Sequence, residues 1–326
     1  MKELSKDSAS WHEVGADSAG QRIDNYLTKR LKGVPKSHIY RILRSGEVRV
    51  NSRRVGPQHR LEEGDRLRLP PVRTAARQRP APGAAAPWRA AIIHEDDVLL
   101  AIDKPAGVAV HGGSGVSHGI VERLRAARPQ SPFLELAHRL DRETSGVLML
   151  AKRRSALLAL HRQLREGQVE KRYLALVKGR WRDSKRSVKL PLNKYVLKSG
   201  ERRVSVHSEG APAHTVFHLR RAWRNYSLLE AELKTGRTHQ IRVHLAHLGY
   251  PVAGDDKYGD FALNKALARQ GLRRMFLHAS RTVIEHPQSG ASLALEAPLP
   301  EELQSFISML DAEEARHAES AQHHDR

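Results

Sequence analysis

The sequence contains no cysteine. Disulfides, iron–sulfur clusters, thiolate zinc sites and thiol nucleophiles are excluded together, and a reducing, cytoplasmic setting is expected. No apolar run approaches the ~20 residues of a membrane span. The opening Met1-Lys2-Glu3-Leu4-Ser5-Lys6 has no apolar core, so no secretory leader is read there. Aromatic residues are few, at 5%, but hydrophobic ones reach 40%, a composition that folds. Acidic residues are the minority: 36 against 56 Lys and Arg, for a formal net charge of +20. Such a surplus points to an anionic partner, with nucleic acid first and an anionic membrane surface second. A chain of 326 residues accommodates about two domains.

Residues 1–10 read as a loose tail. Within 11–70, Ile23, Leu27 and Leu31 recur at helical spacing. Ser37 is placed to cap a second helix carrying Ile39, Ile42 and Leu43, with Gly46 just beyond its end. Short strands follow around Asn51-Ser52, and Arg66 to Leu69 alternates like another. Residues 71–87 are dominated by Pro, Ala and Arg and read as an extended linker. A larger domain spans 88–309, and 310–326 read as a polar, frayed tail. In the large domain Val98–Ile102, Leu134–His138, Val147–Lys152, Tyr173–Val177, Thr215–Ala222 and Tyr226–Lys234 are strand candidates. Ser155 and Thr238 are placed to cap helices, the second carrying Ile241, Leu245 and Leu248. Strand pairs joined by tight turns predict an α+β fold with a mainly antiparallel or mixed central sheet flanked by helices, rather than a doubly wound one. The small N-terminal domain is also α+β.

The loop HRLDRETSG, 138–146, is the most polar stretch inside the large domain. Asp141 lies between Arg139 and Arg142, where charge-assisted hydrogen bonds keep a carboxylate ionised. Three readings are open: a structural salt-bridge knot, a serine hydrolase built from Ser145, His138 and Asp141, or a carboxylate acting on RNA. No G-x-S-x-G elbow supports the hydrolase. His239, His244 and His247 share a helix, but without Cys or Glu beside them they do not make a zinc pattern, so no metal is expected. His111-Gly112-Gly113-Ser114-Gly115 lacks the ending of a nucleotide-binding P-loop. Glu95-Asp96-Asp97 reads as a polar turn. In the small domain Lys36, Arg41 and Arg44 lie away from the apolar side of the second helix, with Arg49, Arg53 and Arg54 on the next turn. Together they form a phosphate-attracting face.

RIDNYLTKRLKGVPKSHIYRILRSGEVRVNSRRV, closed by Gly64-Asp65, resembles the S4 RNA-binding domain. The polar loop, Lys171–Val177, Thr235–His244, Asp255-Asp256 with Tyr258-Gly259, and Phe276–Ala279 occur in the order seen in the RluA family of pseudouridine synthases, which the large domain resembles. Ala109–Gly115 and Phe133–Leu136 are most similar to members acting on large-subunit (23S) ribosomal RNA; His118 stands where that branch has Phe. The resemblance implies a cofactor-free isomerase, expected as a monomer, that detaches uracil from ribose, rotates it and reattaches it through carbon 5. It also implies that Asp141 is the essential carboxylate, that Tyr173 stacks on the base, and that Arg242 pairs with Asp141. Arg139 would fill the gap left by the flipped uridine, with His138 and Arg142 as further RNA contacts.

Overall fold

The computed structural model describes residues 8–31, 33–72, 91–112, 119–128, 130–131, 133–197 and 199–324, with the backbone alone for 17 and 320–324. The linker from 73 onward, the first seven residues, 113–115 and His118 lie outside the described residues. The chain divides into two compact units, 1–87 together with 153–155, and 88–152 together with 156–326.

In the small unit Ile23, Leu27 and Leu31 are fully buried, as their spacing predicts. They lie on or beside α1 (Ile23–Arg30). Against it packs α2 (Lys36–Arg44), through Ile39, Ile42 and Leu43. The cap of α2 is Pro35, not Ser37; the ring fixes φ near the −58° that the start of the helix needs, and Ser37 falls within the first turn. Gly46 follows at φ +75°, a left-handed stop that favours glycine. Strand β1 (Ser10–Glu13) starts inside the expected tail, because β4 (Arg66–Leu69) offers it an antiparallel edge from Ser10↔Leu69 to Glu13↔Arg66. Between them in sequence lie β2 (Arg49–Val50) and β3 (Arg53–Arg54). The Asn51-Ser52 turn has φ of 49° and 66°, the twist a two-residue hairpin requires. The sheet order is β1-β4-β2-β3.

The large unit begins with β5 (Ala91–Glu95) and β6 (Leu99–Lys104), then α3 (Ile120–Ala127), β7 (Glu135–Leu136), β8 (Ser145–Ala151) and α4 (Arg154–Glu166). Helix α4 starts one residue before the expected Ser155 cap. Next come β9 (Glu170–Lys178), β10 (Lys185–Lys189), the hairpin β11 (Leu192–Val196) and β12 (Arg202–Val206), β13 (His214–Ala222) and β14 (Tyr226–Leu233). The chain ends with α5 (Gln240–His247), α6 (Phe261–Arg269), β15 (Leu277–Glu285), β16 (Ser292–Glu296) and α7 (Glu301–His324). The main sheet runs β10-β13-β14-β9-β15-β8-β6-β5, with β16 on β15 and β7 on β8. All its pairs are antiparallel except β15 with β8. The mixed α+β expectation therefore holds.

The β8–β15 contact depends on Gly146. Its φ is +108°, and a Cβ there would sit 2.2 Å from the Ala279 carbonyl oxygen. Only glycine lets the loop turn into β8 against β15. The C-terminal stretch is not a frayed tail from residue 310. Leu303, Phe306 and Leu310 join Leu176, Trp223 and Phe276 in a buried cluster. Beyond them Asp311 accepts from Trp223 Nε1 (2.8 Å), and Glu314 accepts the Arg224 N–H (3.1 Å). These polar anchors extend α7 past its apolar residues, where hydrophobic periodicity gives no signal. No described helix is long and apolar enough to cross a membrane.

Candidate active site

Lys104, at the end of β6, is fully buried. Its ammonium donates to the carbonyls of Pro105 (2.8 Å), Val108 (3.0 Å) and Arg142 (3.0 Å). Burial pushes its pKa down to about 8, against the support of Glu143 and Asp141, so at neutral pH it still carries its proton. This anchor, with the Thr144 N–H on the Asp141 carbonyl (3.2 Å), fixes the loop that presents Asp141. Asp141 keeps 27% of its side chain exposed, enough for a substrate to reach it.

The second element is α5. Thr238 does not cap it; the N-cap is His239, in the left-handed region at φ 54°, ψ 21°. The Gln240 side chain holds the preceding turn instead. It accepts from Thr235 Oγ1 (2.7 Å) and the Arg237 N–H (3.0 Å) and donates to the His214 carbonyl (3.0 Å). One residue beyond Ile241, Arg242 is 3% exposed. Its Nη1 donates to Asp141 Oδ2 at 3.1 Å. Its Nε and Nη2 make a bidentate pair with Asp255, both at 2.7 Å, and Asp256 lies at 3.4 Å. Asp255 is the partner that sequence reasoning missed. Its motif was visible, but nothing local says that it meets a helix thirteen residues earlier. Burial works against the Asp255 charge, yet the Arg242 bonds and the N–H groups of Lys257 and Tyr258 outweigh it and lower its pKa. Burial likewise opposes the Arg242 charge, and the two carboxylates more than restore it.

Tyr173 stands on β9 between Ala231 of β14 and Ala279 of β15, 8% exposed. Burial first, then the charge of Asp141, raises its hydroxyl pKa well above the usual phenol value. In the free protein it is an un-ionised ring that can stack or donate, not a phenolate base. The structure thus brings Asp141, Tyr173 and Arg242 together.

None of the other expected site residues shows a bond to this trio among the described contacts. Arg139 and Arg142 are exposed, and Arg142 pairs with Glu143 at 2.7 Å. His138 accepts the Met149 N–H through Nε2 at 3.2 Å. Burial, then the charge of Lys171, pushes its pKa down to about 4. A neutral ring tied to β8 has no charge to offer a phosphate. The hydrolase arrangement is not formed either: Ser145 Oγ meets His278 Nδ1 (2.9 Å) and Arg274 (2.6 Å), not His138. In the small unit Lys36, Arg41, Arg44, Arg49, Arg53 and Arg54 are all exposed. Arg54 reaches the Arg44 carbonyl (2.9 Å), and Arg41 lies 3.6 Å from Glu47.

Among the described residues one group of His and carboxylate ligand atoms converges: His94, Asp96 and His286. Asp96 Oδ2 takes both ring Nε2 atoms, at 2.7 and 2.8 Å, and Asp96 Oδ1 accepts the Val98 and Leu99 N–H groups, as a polar turn should. His286 Nδ1 accepts the Ser289 N–H (3.1 Å), so the ring proton sits on Nε2, the atom a metal would need. The group clips two turns together. His239 and His244 of α5 diverge, the latter bonded to Thr215 (3.0 Å) and the Leu190 carbonyl (2.9 Å).

The polar loop thus presents one accessible carboxylate, gripped by a buried arginine, with a buried tyrosine near it. The family model for RNA pseudouridylate synthase matches residues 98–247, and that for the S4 domain matches 21–67. The ribosomal large subunit pseudouridine synthase C of Escherichia coli K12 is 52% identical over 303 residues, 91% of this chain and 95% of that protein. The chain belongs to the RNA pseudouridylate synthases. The Yersinia pestis protein of the same name is 52% identical over 301 residues, 91% of this chain and 94% of its own. Among solved structures, human RNA pseudouridylate synthase domain containing 4 superposes with a TM-score of 0.56 at 26% identity, covering 68% of this chain and 93% of that one. This pseudouridine synthase is therefore an isomerase with an S4 domain in front of its catalytic unit.

Proposed function

We propose that this synthase converts specific uridines of 23S (large-subunit) ribosomal RNA to pseudouridine, with Asp141 as the catalytic carboxylate. The observation that carries the reading is Asp141 itself: accessible, held by Arg242 at 3.1 Å, and near buried Tyr173. Its carboxylate acts on the ribose of a uridine flipped out of its stack. Tyr173 stacks on the freed uracil while it turns. The C–N bond is exchanged for a C–C bond, carbon 5 releases a proton and N1 gains one, so no cofactor takes part. Arg139, exposed beside Asp141 in sequence, fills the vacated stack. Arg142 and the six basic residues of the S4 unit attract backbone phosphates. The choice of large-subunit RNA rests on the two relatives at 52% identity. We read it as a cytoplasmic enzyme that acts as a monomer.

The test is pseudouridine mapping of 23S rRNA from a deletion strain complemented with wild type or Asp141→Asn. Wild type restores its sites. The variant folds and binds RNA but forms no product, a loss of at least ~4 kcal/mol in barrier, or about a thousandfold. A variant with a tenth of wild-type turnover refutes the role of Asp141, and an unchanged 23S map refutes the substrate.

A further inference from the structure

Arg242 grips only one oxygen of Asp141. The other, Oδ1, faces His239 Nε2 at 3.8 Å. Which nitrogen of that ring carries the proton follows from its neighbours. The Val204 N–H of β12 donates to the Tyr258 hydroxyl oxygen at 3.0 Å. The hydroxyl proton is then directed at His239 Nδ1, 2.8 Å away. Nδ1 is the acceptor, so the ring proton sits on Nε2 and points at Asp141. The Tyr258 ring meets the imidazole edge-on at 5.5 Å and lies under the Arg242 guanidinium at 5.2 Å, so one side chain braces both partners of Asp141.

The backbone adds an independent observation. His239 is one of three described non-glycine residues with positive φ, and the other two form the Asn51-Ser52 hairpin turn. His239 serves the helix through its carbonyl alone, which accepts the Val243 N–H (2.9 Å); its side chain makes no capping bond. Strained backbone positions cluster at functional sites. Here it aims the ring at the carboxylate.

We infer that His239, its tautomer set by Tyr258, is a positioning residue that holds Asp141 Oδ1, the oxygen that Arg242 leaves free. The inference rests on the synthase reading of Asp141. In the RNA-free protein the N–H contact is long, as catalytic hydrogen bonds often are before substrate binds. Closure by about 0.6–0.9 Å brings it into hydrogen-bond range. Both carboxylate oxygens are then fixed, and the group cannot rotate away from the ribose.

Single-turnover tritium release from an unmodified 23S rRNA transcript carrying [5-³H]uridine tests this, with RNA affinity and thermal melts measured in parallel. His239→Gly removes the ring and relieves the positive φ, so it melts no lower than wild type. Its rate falls about tenfold to hundredfold while its RNA Kd stays within about twofold. His239→Gln keeps an N–H near the Nε2 position and recovers most of the rate. Tyr258→Phe keeps the packing but frees the tautomer, and its rate falls between those of wild type and His239→Gly. A wild-type rate for His239→Gly, or equal losses for Gly and Gln, overturns the inference while leaving the synthase reading intact. An inactive wild-type protein overturns both.

Discussion

Replacing Arg242 by Met removes a guanidinium that is 3% exposed and leaves carboxylates facing an apolar side chain. Breaking a buried ion pair by removing one partner costs about 3–5 kcal/mol. For a unit of this size, roughly 2–4 °C in Tm accompanies each kcal/mol, so Arg242→Met should melt about 6–20 °C lower. The geometry also says which carboxylate carries the loss. Asp255 is 1% exposed and takes two bonds at 2.7 Å, whereas Asp141 is 27% exposed and takes one at 3.1 Å. Adding Asp255→Asn to Arg242→Met removes the stranded charge, and the Asn oxygen can still accept from Lys257 and Tyr258. The coupling between positions 242 and 255 should reach about 2–3 kcal/mol, and that between 242 and 141 should stay under about 1 kcal/mol. Urea melts of wild type, the three single variants and the two doubles give both numbers. A 141 coupling equal to or larger than the 255 coupling refutes this account. Arg242→Lys keeps the charge but loses the planar fork, so it should retain partial activity and fall between wild type and Met in stability.

Three further outcomes follow from other sites. Gly146→Ala meets both a left-handed φ and the Ala279 carbonyl at 2.2 Å, and should lose at least about 3 kcal/mol in a urea melt; a neutral result contradicts the β8–β15 packing. His138 and His278 both have folded pKa values near 4, below the ordinary 6.5, because burial disfavours their charged forms. The unfolded chain therefore binds those protons first. Stability is complete above pH 6.5 and is lost as pH falls toward 4, with each ring adding up to about 1.4 kcal/mol per pH unit. Equal stability at pH 7 and pH 5 would show that the rings are not buried neutral. If the S4 unit contacts RNA phosphates, Lys36→Ala with Arg53→Ala should flatten the salt dependence of RNA binding by roughly 0.7 to 0.9 per lost contact, and an unchanged slope removes those residues from the interface.

Local chemistry makes much of this protein readable from the order of its residues. Helical spacing locates α1 and α2, alternation locates β9, β13 and β14, and the basic excess points to RNA. The motif order around Asp141, Tyr173 and Arg242 points to the enzyme. Those signals are short-range, and each is carried by residues near one another in the chain. What lies beyond them depends on contacts between distant segments. Strand β1 forms because β4 offers an edge, and α7 continues past its apolar residues because Trp223, Arg224 and their carboxylate partners meet across the fold. The Arg242–Asp255 pair and the Tyr258–His239 link are likewise tertiary. Sequence could single out Asp141 by its polar loop, but it credited the flanking arginines, whereas Arg142 turns to Glu143 and the guanidinium on Asp141 comes from Arg242. Only tertiary structure could show which groups hold each of its oxygens, because the orientation of a buried charge is set by whatever the fold packs around it.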